Sequence, residues 1–538
     1  MITPIDQLRD AALSNESARI HCDDESLTYA RLLARSLSCA QALLDFGIRR
    51  GDRIAFWLPN SLAYLELLYA CMHVGAIAVS INTRFRRAEV ESILERTRAN
   101  ALVAMPAFRR VPFLEILREL DPERIASLRL AILCGEAPAN GRFGAGETSI
   151  GNPQFPLTKA RTVRHEEMLS APMAESAADA SLPCAIFPTS GTTSKPKFAL
   201  HQQGSVARHS AYVASAFGYD EGAHLLQAIP FCGIFGFSQM MATVAGRSCV
   251  TLMPLFDAVQ AGALIRERRV THLNGPDDLI KRLLDAFPDP RPFPSLRECL
   301  IASFNPTLAG LPEEAERRGI RMTNGFGMSE IFSFFSRPPP DAPLSLRKLP
   351  GGMPINPVAR VRVRDEDTSA ILPPGEVGSL EVFSDTLFCE YYGDPAATRA
   401  AFTDDGYFIT GDLASVQSDG SFLFKGRKGD FLRLGGFLVD PAEIERILQQ
   451  AAGVQTVVVV EVSTARGNKA VAFVRTAGDA PLDTDALYML ARTELADFKV
   501  PTLFVQVSEF PVAMSPNGEK IQRAKLKLRA VEALATAR

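Results

Sequence analysis

The sequence lacks the marks of several protein classes. Its nine cysteines are scattered from Cys22 to Cys389, and none forms a Cys-x-x-Cys pair. An odd count without metal-ligand spacing argues against a disulfide framework or a zinc ribbon, and for reduced thiols. Neither sign of charge dominates: 58 Lys and Arg stand against 61 Asp and Glu, a formal net charge of −3. No global attraction to nucleic acid or to an anionic membrane surface follows from that balance. No uninterrupted apolar run approaches the length that spans a bilayer. Met1-Ile2-Thr3-Pro4-Ile5-Asp6 also lacks the basic stretch and apolar run of a signal peptide. There are no repeats and no low-complexity tract. The expectation is a cytoplasmic protein with no nucleic-acid partner and no integral membrane association.

What is present is ample material for more than one core. The chain has 538 residues, 47% hydrophobic and 22% charged, enough for a large domain and a smaller one. Thr28 is placed to cap a helix whose apolar stripe is Leu32, Leu33, Leu37, Ala40, Leu43 and Leu44, with Gly47 as its stop. A strand at Ile54–Leu58, a helix around Leu62–His73 and a strand at Ala76–Ser80 follow. Such alternation favours a layered α/β domain with helices covering sheets. From about Ala359 the texture turns to short strands: Ala359–Val363, Gly378–Val382, Gly406–Thr410 and Phe422–Phe424. After Gly426-Arg427-Lys428-Gly429-Asp430 a new unit begins, with helices at Pro441–Gln450 and Asp485–Leu495, strands at Thr456–Val462 and Ala470–Val474, and a basic helix from Arg523. The expected architecture is a large N-terminal α/β domain, residues 1–428, of layered sheets with helices plus a β-rich subdomain. A small mobile α+β C-terminal domain, residues 429–538, follows a hinge at Gly429, where glycine's wide φ/ψ range permits swivelling.

The strongest chemical signal is Pro188-Thr189-Ser190-Gly191-Thr192-Thr193-Ser194-Lys195-Pro196-Lys197. Five hydroxyl side chains and a glycine follow an apolar strand, and two lysines come with them. Backbone N–H groups and hydroxyls in such a loop can wrap polyphosphate oxygens while lysines offset their charge. The spacing is not that of a Walker A loop, which disfavours a P-loop kinase. Composition alone also fits a solvated Ser/Thr-rich loop. The loop resembles the signature of the adenylate-forming superfamily, which includes the acyl-CoA synthetases. Ser194 and Phe198 stand where that family usually has glycines, yet the hydroxyls and lysines are in place. The resemblance implies that Thr189, Ser190, Gly191, Thr192, Thr193, Lys195 and Lys197 bind the β- and γ-phosphates of ATP.

Companion motifs extend the resemblance nearly to the end of the chain. Asn324-Gly325-Phe326-Gly327-Met328-Ser329-Glu330 is similar to the family's aromatic-Gly-x-Thr-Glu motif. Carried over, Phe326 lies against adenine, Ser329 contacts the α-phosphate and Glu330 helps hold Mg²⁺. A hard cation suits a carboxylate oxygen. Read alone, Ser329 and Glu330 would equally suit the start of a helix. Tyr407-Phe408-Ile409-Thr410-Gly411-Asp412-Leu413 matches the motif whose aspartate, here Asp412, bonds both ribose hydroxyls. The bland reading is a β-turn at Gly411-Asp412. Arg427 resembles an arginine that also reaches the ribose. Ala302-Ser303-Phe304-Asn305-Pro306 occupies the place of a Gly-Gly-Ala-Pro-like turn and departs from it.

In the C-terminal unit, Asn517-Gly518-Glu519-Lys520-Ile521 resembles the family's final Gly-x-Lys-Ile motif. By that resemblance Lys520 bridges the carboxylate and the α-phosphate during adenylation, stabilising charge that develops in the transition state. Gly435-Gly436 looks like the glycine pair beside which a phosphopantetheine thiol enters. Leu438 stands where some members carry arginine. Pro230-Phe231-Cys232-Gly233-Ile234-Phe235-Gly236-Phe237 aligns with a segment lining the acyl pocket, and Gly233 replaces a common histidine there. No acidic residue lies between Pro230 and Met241, which argues against an amino-acid substrate. Gly233, Phe235, Phe304 and Ile331 are the expected pocket residues, with Phe237, Phe332 and Phe334 as further aromatics, some of them plain core. The implied activity is ATP-dependent conversion of a fatty or aryl acid to acyl-AMP, then thioester formation with CoA. The cofactors implied are ATP, Mg²⁺ and CoA. A carrier-protein phosphopantetheine in place of CoA, or a non-catalytic member of the fold, remains the alternative.

Overall fold

The computed structural model describes residues 1–108, 111–135, 160–169, 171–189, 196–302, 308, 310–365, 368–427, 432–435, 437–439, 441–464, 467–477, 481–515, 518–521 and 523–536. Two mostly parallel sheets and the helices between them form the bulk of the large domain. The first sheet has eight strands. In spatial order they are Glu390–Tyr391, Lys197–Gln202, Pro183–Thr189, Ile77–Ser80, Arg53–Trp57, Ala101–Ala104, Leu130–Leu133 and Arg161–Arg164. The second has five, with His224–Gln227, Cys249–Leu252 and Arg19–Cys22 at its centre. A short parallel sheet of Gly275–Pro276, Cys299–Ala302 and Met322–Asn324 lies beside it through the bridge His272 to Glu298.

The main core lies around helices Tyr29–Asp45, Leu62–Val74, Gln203–Phe217 and Ile234–Ala245. Thr28 does cap the first of them: its side chain accepts the Arg31 N–H, satisfying a donor the helix leaves orphaned. Helix Leu62–Val74 is buried at nearly every position, Ala63 being the exception. A helix apolar on all sides belongs inside a layered domain rather than on its surface.

The β-rich part is a seven-stranded antiparallel sheet running Phe326–Met328, Phe332–Arg337, Gly351–Pro354, Phe422–Arg427, Phe408–Val416, Val377–Phe383 and Arg360–Arg364. Here the structure departs from the strand expected at Gly406–Thr410 and from the bland readings of two motifs. The turn falls at Thr403–Tyr407, and the strand runs on through Gly411-Asp412 to Val416. Gly411, at φ +75°, sits in a register shift against Val377–Phe383. That left-handed bulge kinks the strand without ending it. Nor does a helix follow Ser329-Glu330; a tight turn leads into strand Phe332–Arg337.

The smaller α+β domain has strands Val454–Thr464, Gly467–Thr476 and Leu503–Gln506 backed by helices Pro441–Leu448, Thr484–Glu494 and Arg523–Thr536. Two hairpins, Leu432–Leu434 with Phe437–Val439 and Val512–Ser515 with Gly518–Ile521, flank it. Gly429 lies outside the described residues, as does the proposed boundary there. No helix among the described residues is long and apolar enough to cross a membrane.

One buried charge network ties the main helices together. Glu66, fully buried on helix Leu62–Val74, meets Arg35 Nε at 2.8 Å and His165 Nε2 at 2.9 Å. Cys39 completes a group of ligand-type atoms within 4.8 Å of one another, but the guanidinium already neutralises the carboxylate, so ion pairing accounts for the cluster. Removing one member of a buried pair strands the other's charge. Glu66→Ala is therefore expected to lower unfolding free energy in urea by about 3–5 kcal/mol, and a loss under about 1 kcal/mol would contradict the assignment.

Candidate active site

The phosphate loop is anchored at both ends by strand pairing. Pro183–Thr189 and Lys197–Gln202 run antiparallel, and the pair Thr189 to Lys197 closes the connection between them. Arg96 Nη1 donates to the Pro196 carbonyl at 2.7 Å, fixing the return path. Ser190, Gly191, Thr192, Thr193 and Lys195 lie outside the described residues. Lys197 places its ammonium 4.5 Å from the centre of the Tyr391 ring, in cation–π geometry.

That tyrosine leads to the next motif. Tyr391 Oη donates to Glu330 Oε1 at 2.9 Å, and the Phe388 N–H donates to the Glu330 carbonyl at 2.8 Å. Glu330 is only 5% exposed, so an unsatisfied carboxylate there would be costly. Tyr391 satisfies one oxygen with a neutral donor and leaves the charge itself in place. The preceding carbonyl, of Ser329, accepts from His201 Nε2 at 2.8 Å. Phe326 stands in the adjoining wall, edge-on to Phe422 with centroids 5.3 Å apart. Asp412 is 2% exposed and faces Arg427 across the antiparallel pair of Phe408–Val416 and Phe422–Arg427. The side chain of Arg427 is outside the described residues. The Asp412 N–H donates to Thr410 Oγ1 at 3.0 Å, which steadies the bulge.

These residues share one cavity of about 720 Å³ between the sheets and the smaller domain. Thr189, Lys197, Phe326, Ser329, Glu330 and Asp412 all line it. So do Gly233, Phe235 and Phe334, which form an apolar wall. Gly233 caps helix Ile234–Ala245, and a Cβ built on it would meet only Pro230 O, at 3.7 Å. Phe235 and Phe334 meet edge-to-face at 5.1 Å. Ile331 is not brought to the cavity. It is fully buried against Phe326, Phe335 and Phe388 in the core of the β-rich part, because the turn after Glu330 points it inward. Phe237 and Phe332 are likewise core residues. Phe304 lies outside the described residues.

The smaller domain closes the remaining side. Gly435, at φ +60°, lines the cavity, and a Cβ there would sit 2.7 Å from that of Phe498. Only glycine permits so close an approach in that conformation. Gly436 is outside the described residues. Lys520 lies in strand Gly518–Ile521, its backbone opposite Ala513; its side chain is outside the described residues.

Several residues here carried no sequence signal. Lys499, 5% exposed, spans the two domains with Nζ 2.6 Å from Glu89 and 2.7 Å from Glu443. Burial pushes the Glu89 carboxyl up to about 7, against the opposing pull of Lys499 and with a further push from Glu443. One ammonium between two carboxylates leaves a surplus negative charge, and raising one carboxyl relieves it. Arg86 to Asp497 at 3.1 Å and Arg87 to Glu494 at 3.3 Å continue the seam. Tyr391, His201 and Lys499 are single residues of common types, and only the fold gathers them.

The family model described as AMP-binding enzyme matches residues 8–392, and that of the AMP-binding enzyme C-terminal domain matches residues 443–515. A putative acyl-CoA synthetase, YngI of Bacillus subtilis, is 26% identical over 94% of this chain and 92% of its own length. The long-chain-fatty-acid–CoA ligase FadD13 of Mycobacterium tuberculosis is 28% identical, covering 92% of each chain. Among solved structures, the o-succinylbenzoate CoA synthetase MenE of Bacillus subtilis, a double mutant bound to a product analogue, superposes with a TM-score of 0.80 at 22% identity. That match covers 97% of this chain and 98% of the other. The two domain matches fall on the parts that wall the cavity from either side, and the chain belongs to the AMP-binding enzyme family, within the acyl-CoA synthetase group of the adenylate-forming superfamily.

Proposed function

We propose that this enzyme activates a fatty or aryl carboxylic acid with ATP and passes the acyl group to the thiol of CoA. The reading rests on one observation: the end of the phosphate loop, Glu330, Asp412 and the wall of Gly233, Phe235 and Phe334 border a single cavity. In the first half-reaction a carboxylate oxygen attacks the α-phosphorus, and the bond to the bridging oxygen of the leaving pyrophosphate breaks. Acyl-AMP forms. In the second, the thiolate attacks the acyl carbonyl carbon, and AMP leaves with the electrons of the C–O bond.

The roles divide by position. Thr189 and Lys197, with Ser190, Gly191, Thr192, Thr193 and Lys195, hold the β- and γ-phosphates. Phe326 packs on adenine, Asp412 and Arg427 take the ribose, and Ser329 contacts the α-phosphate. Glu330 is the fitting ligand for Mg²⁺, being a buried carboxylate oriented by Tyr391. That ion, when bound, offsets charge on the departing pyrophosphate. Lys520 neutralises charge at the reacting oxygens, and the hairpin bearing Gly435 and Gly436 admits the thiol. Because Lys520 and Gly435 lie on separate hairpins of one small domain, a swivel at Gly429 would present them in turn.

FadD13 by its name acts on long-chain fatty acids and MenE on o-succinylbenzoate, and the apolar wall of Gly233, Phe235 and Phe334 suits a fatty or an aryl acyl group. ATP–pyrophosphate exchange across a panel of carboxylic acids tests the reading directly. Exchange is expected with fatty or aryl acids and acyl-CoA when CoA is added. A preference for amino acids, or exchange with none, rejects it; acyl transfer only to a carrier protein rejects CoA.

Two substitutions sharpen the assignment. Lys520→Ala should slow adenylation by about a hundredfold or more, while sparing thioester formation from supplied acyl-AMP. Equal loss in both half-reactions would remove Lys520 from its role. Gly233→His has room to enter the cavity and should shift the preference toward smaller acids. An unchanged chain-length profile would count against Gly233 as a pocket residue.

A further inference from the structure

The turn that carries Ser329 and Glu330 and the irregular start of strand Phe332–Arg337 together form a loop that holds two bulky residues in the left-handed region. Phe332 has φ +62° and Phe334 has φ +66°. Side chains of that size rarely adopt such angles, and surrounding structure must enforce them. The enforcement is visible. His201, on strand Lys197–Gln202, donates from Nε2 to the Ser329 carbonyl at 2.8 Å. His209, on helix Gln203–Phe217, donates from Nε2 to the Ser333 carbonyl at 2.7 Å. Between these two anchors the Phe332 ring is gripped by both imidazoles. Its centroid lies 4.1 Å from that of His201 and 4.7 Å from that of His209.

Both histidines are buried, at 0% and 2% exposure, and neither lines the cavity. Standing behind the cavity wall rather than in it, neither is placed to act as an acid or a base in the proposed reaction. Burial holds the His201 pKa down at about 3 and that of His209 at about 4. At neutral pH each ring is uncharged and carries its proton on Nε2, facing the carbonyl. His201 Nδ1 has no hydrogen-bond partner among the described residues. Its tautomer is set by the loop alone.

The two anchors hold different stretches of the cavity lining. Ser329 and Glu330 border it on the side of Lys197 and Tyr391, whereas Ser333 and Phe334 border it on the side of Phe235. We infer that His201 and His209 are paired positioning residues, His201 setting the nucleotide-facing end of the strained loop and His209 its acyl-facing end. The loop thereby fixes the distance between the α-phosphate and the carboxylate that attacks it. This inference rests on the proposed adenylation at that cavity.

The test uses Asn and Gln at each position. Gln can place an amide N–H near the position of Nε2, while Asn is too short to reach the carbonyl. Pyrophosphate exchange by the wild-type enzyme is measured first; failure there with every acid rejects the function itself, separately from this assignment. With an active wild type, losing one directed hydrogen bond is expected to raise the KM for ATP about tenfold in His201→Asn and the KM for the acid about fivefold in His209→Asn. In each case the other KM should stay within about twofold, and the Gln variant should recover most of the loss. Melting temperatures of all four variants accompany the kinetics. Unchanged KM values, both values rising together, or no advantage of Gln over Asn would overturn the assignment. Failure of all four to fold would overturn it too, marking the histidines as supports of the fold alone.

Discussion

A carboxylate held almost out of water, on Glu330, is the constraint around which the large domain is arranged. Its chain neighbours belong to the seven-stranded sheet, but its partners come from elsewhere. Tyr391 reaches it from the edge of the eight-stranded sheet, Phe388 binds its carbonyl, and His201 holds the residue before it. Leaving such a group unpaired would cost several kcal/mol, on the order of a large part of a domain's net stability. The sheets therefore meet where the carboxylate needs them. The return strand of the phosphate loop, Lys197–Gln202, pairs at Ala199 with Tyr391 and carries His201, so the strand that positions the partners of Ser329 and Glu330 also fixes the phosphate loop's exit. Stability and chemistry draw on the same contacts there.

The smaller domain is attached by a different balance. Its seam with helix Arg87–Thr97 and the residues preceding it is charged, through Lys499, Arg86 and Arg87, with Arg84 near the rings of Phe437 and Phe498. Charged seams of this kind trade water contacts for protein contacts at little net gain, unlike an apolar core. That suits the swivel proposed for this domain between the two half-reactions. Gly435 borders this seam: a Cβ on it would lie 2.7 Å from that of Phe498 in its own domain and 3.4 Å from Arg84 Nη1 across the interface.

Local chemistry made much of this legible before any coordinates. The Thr28 cap, the buried helix Leu62–Val74 and the strands of the C-terminal unit follow from periodicity and capping. The cavity also gathers Thr189, Lys197, Phe326, Ser329, Glu330 and Asp412, residues separated by more than two hundred positions. Where the reading failed, tertiary structure outweighed local preference. The strand expected to end at Thr410 is instead paired on both sides and runs on through Gly411 in a bulge to Val416. Ile331 neighbours a cavity residue in sequence, but the turn sends it into the core. Tyr391, His201, His209 and Lys499 had no spacing to betray them, since each acts through a partner far along the chain.

A structure with a hydrolysis-resistant acyl-adenylate mimic, an acyl-sulfamoyl adenosine, tests the central claim most directly. The account predicts its ribose at Asp412, its sulfamoyl group beside Ser329, and its acyl chain along Gly233, Phe235 and Phe334. A mimic bound elsewhere, or bound here with its acyl chain turned away from that wall, would contradict it.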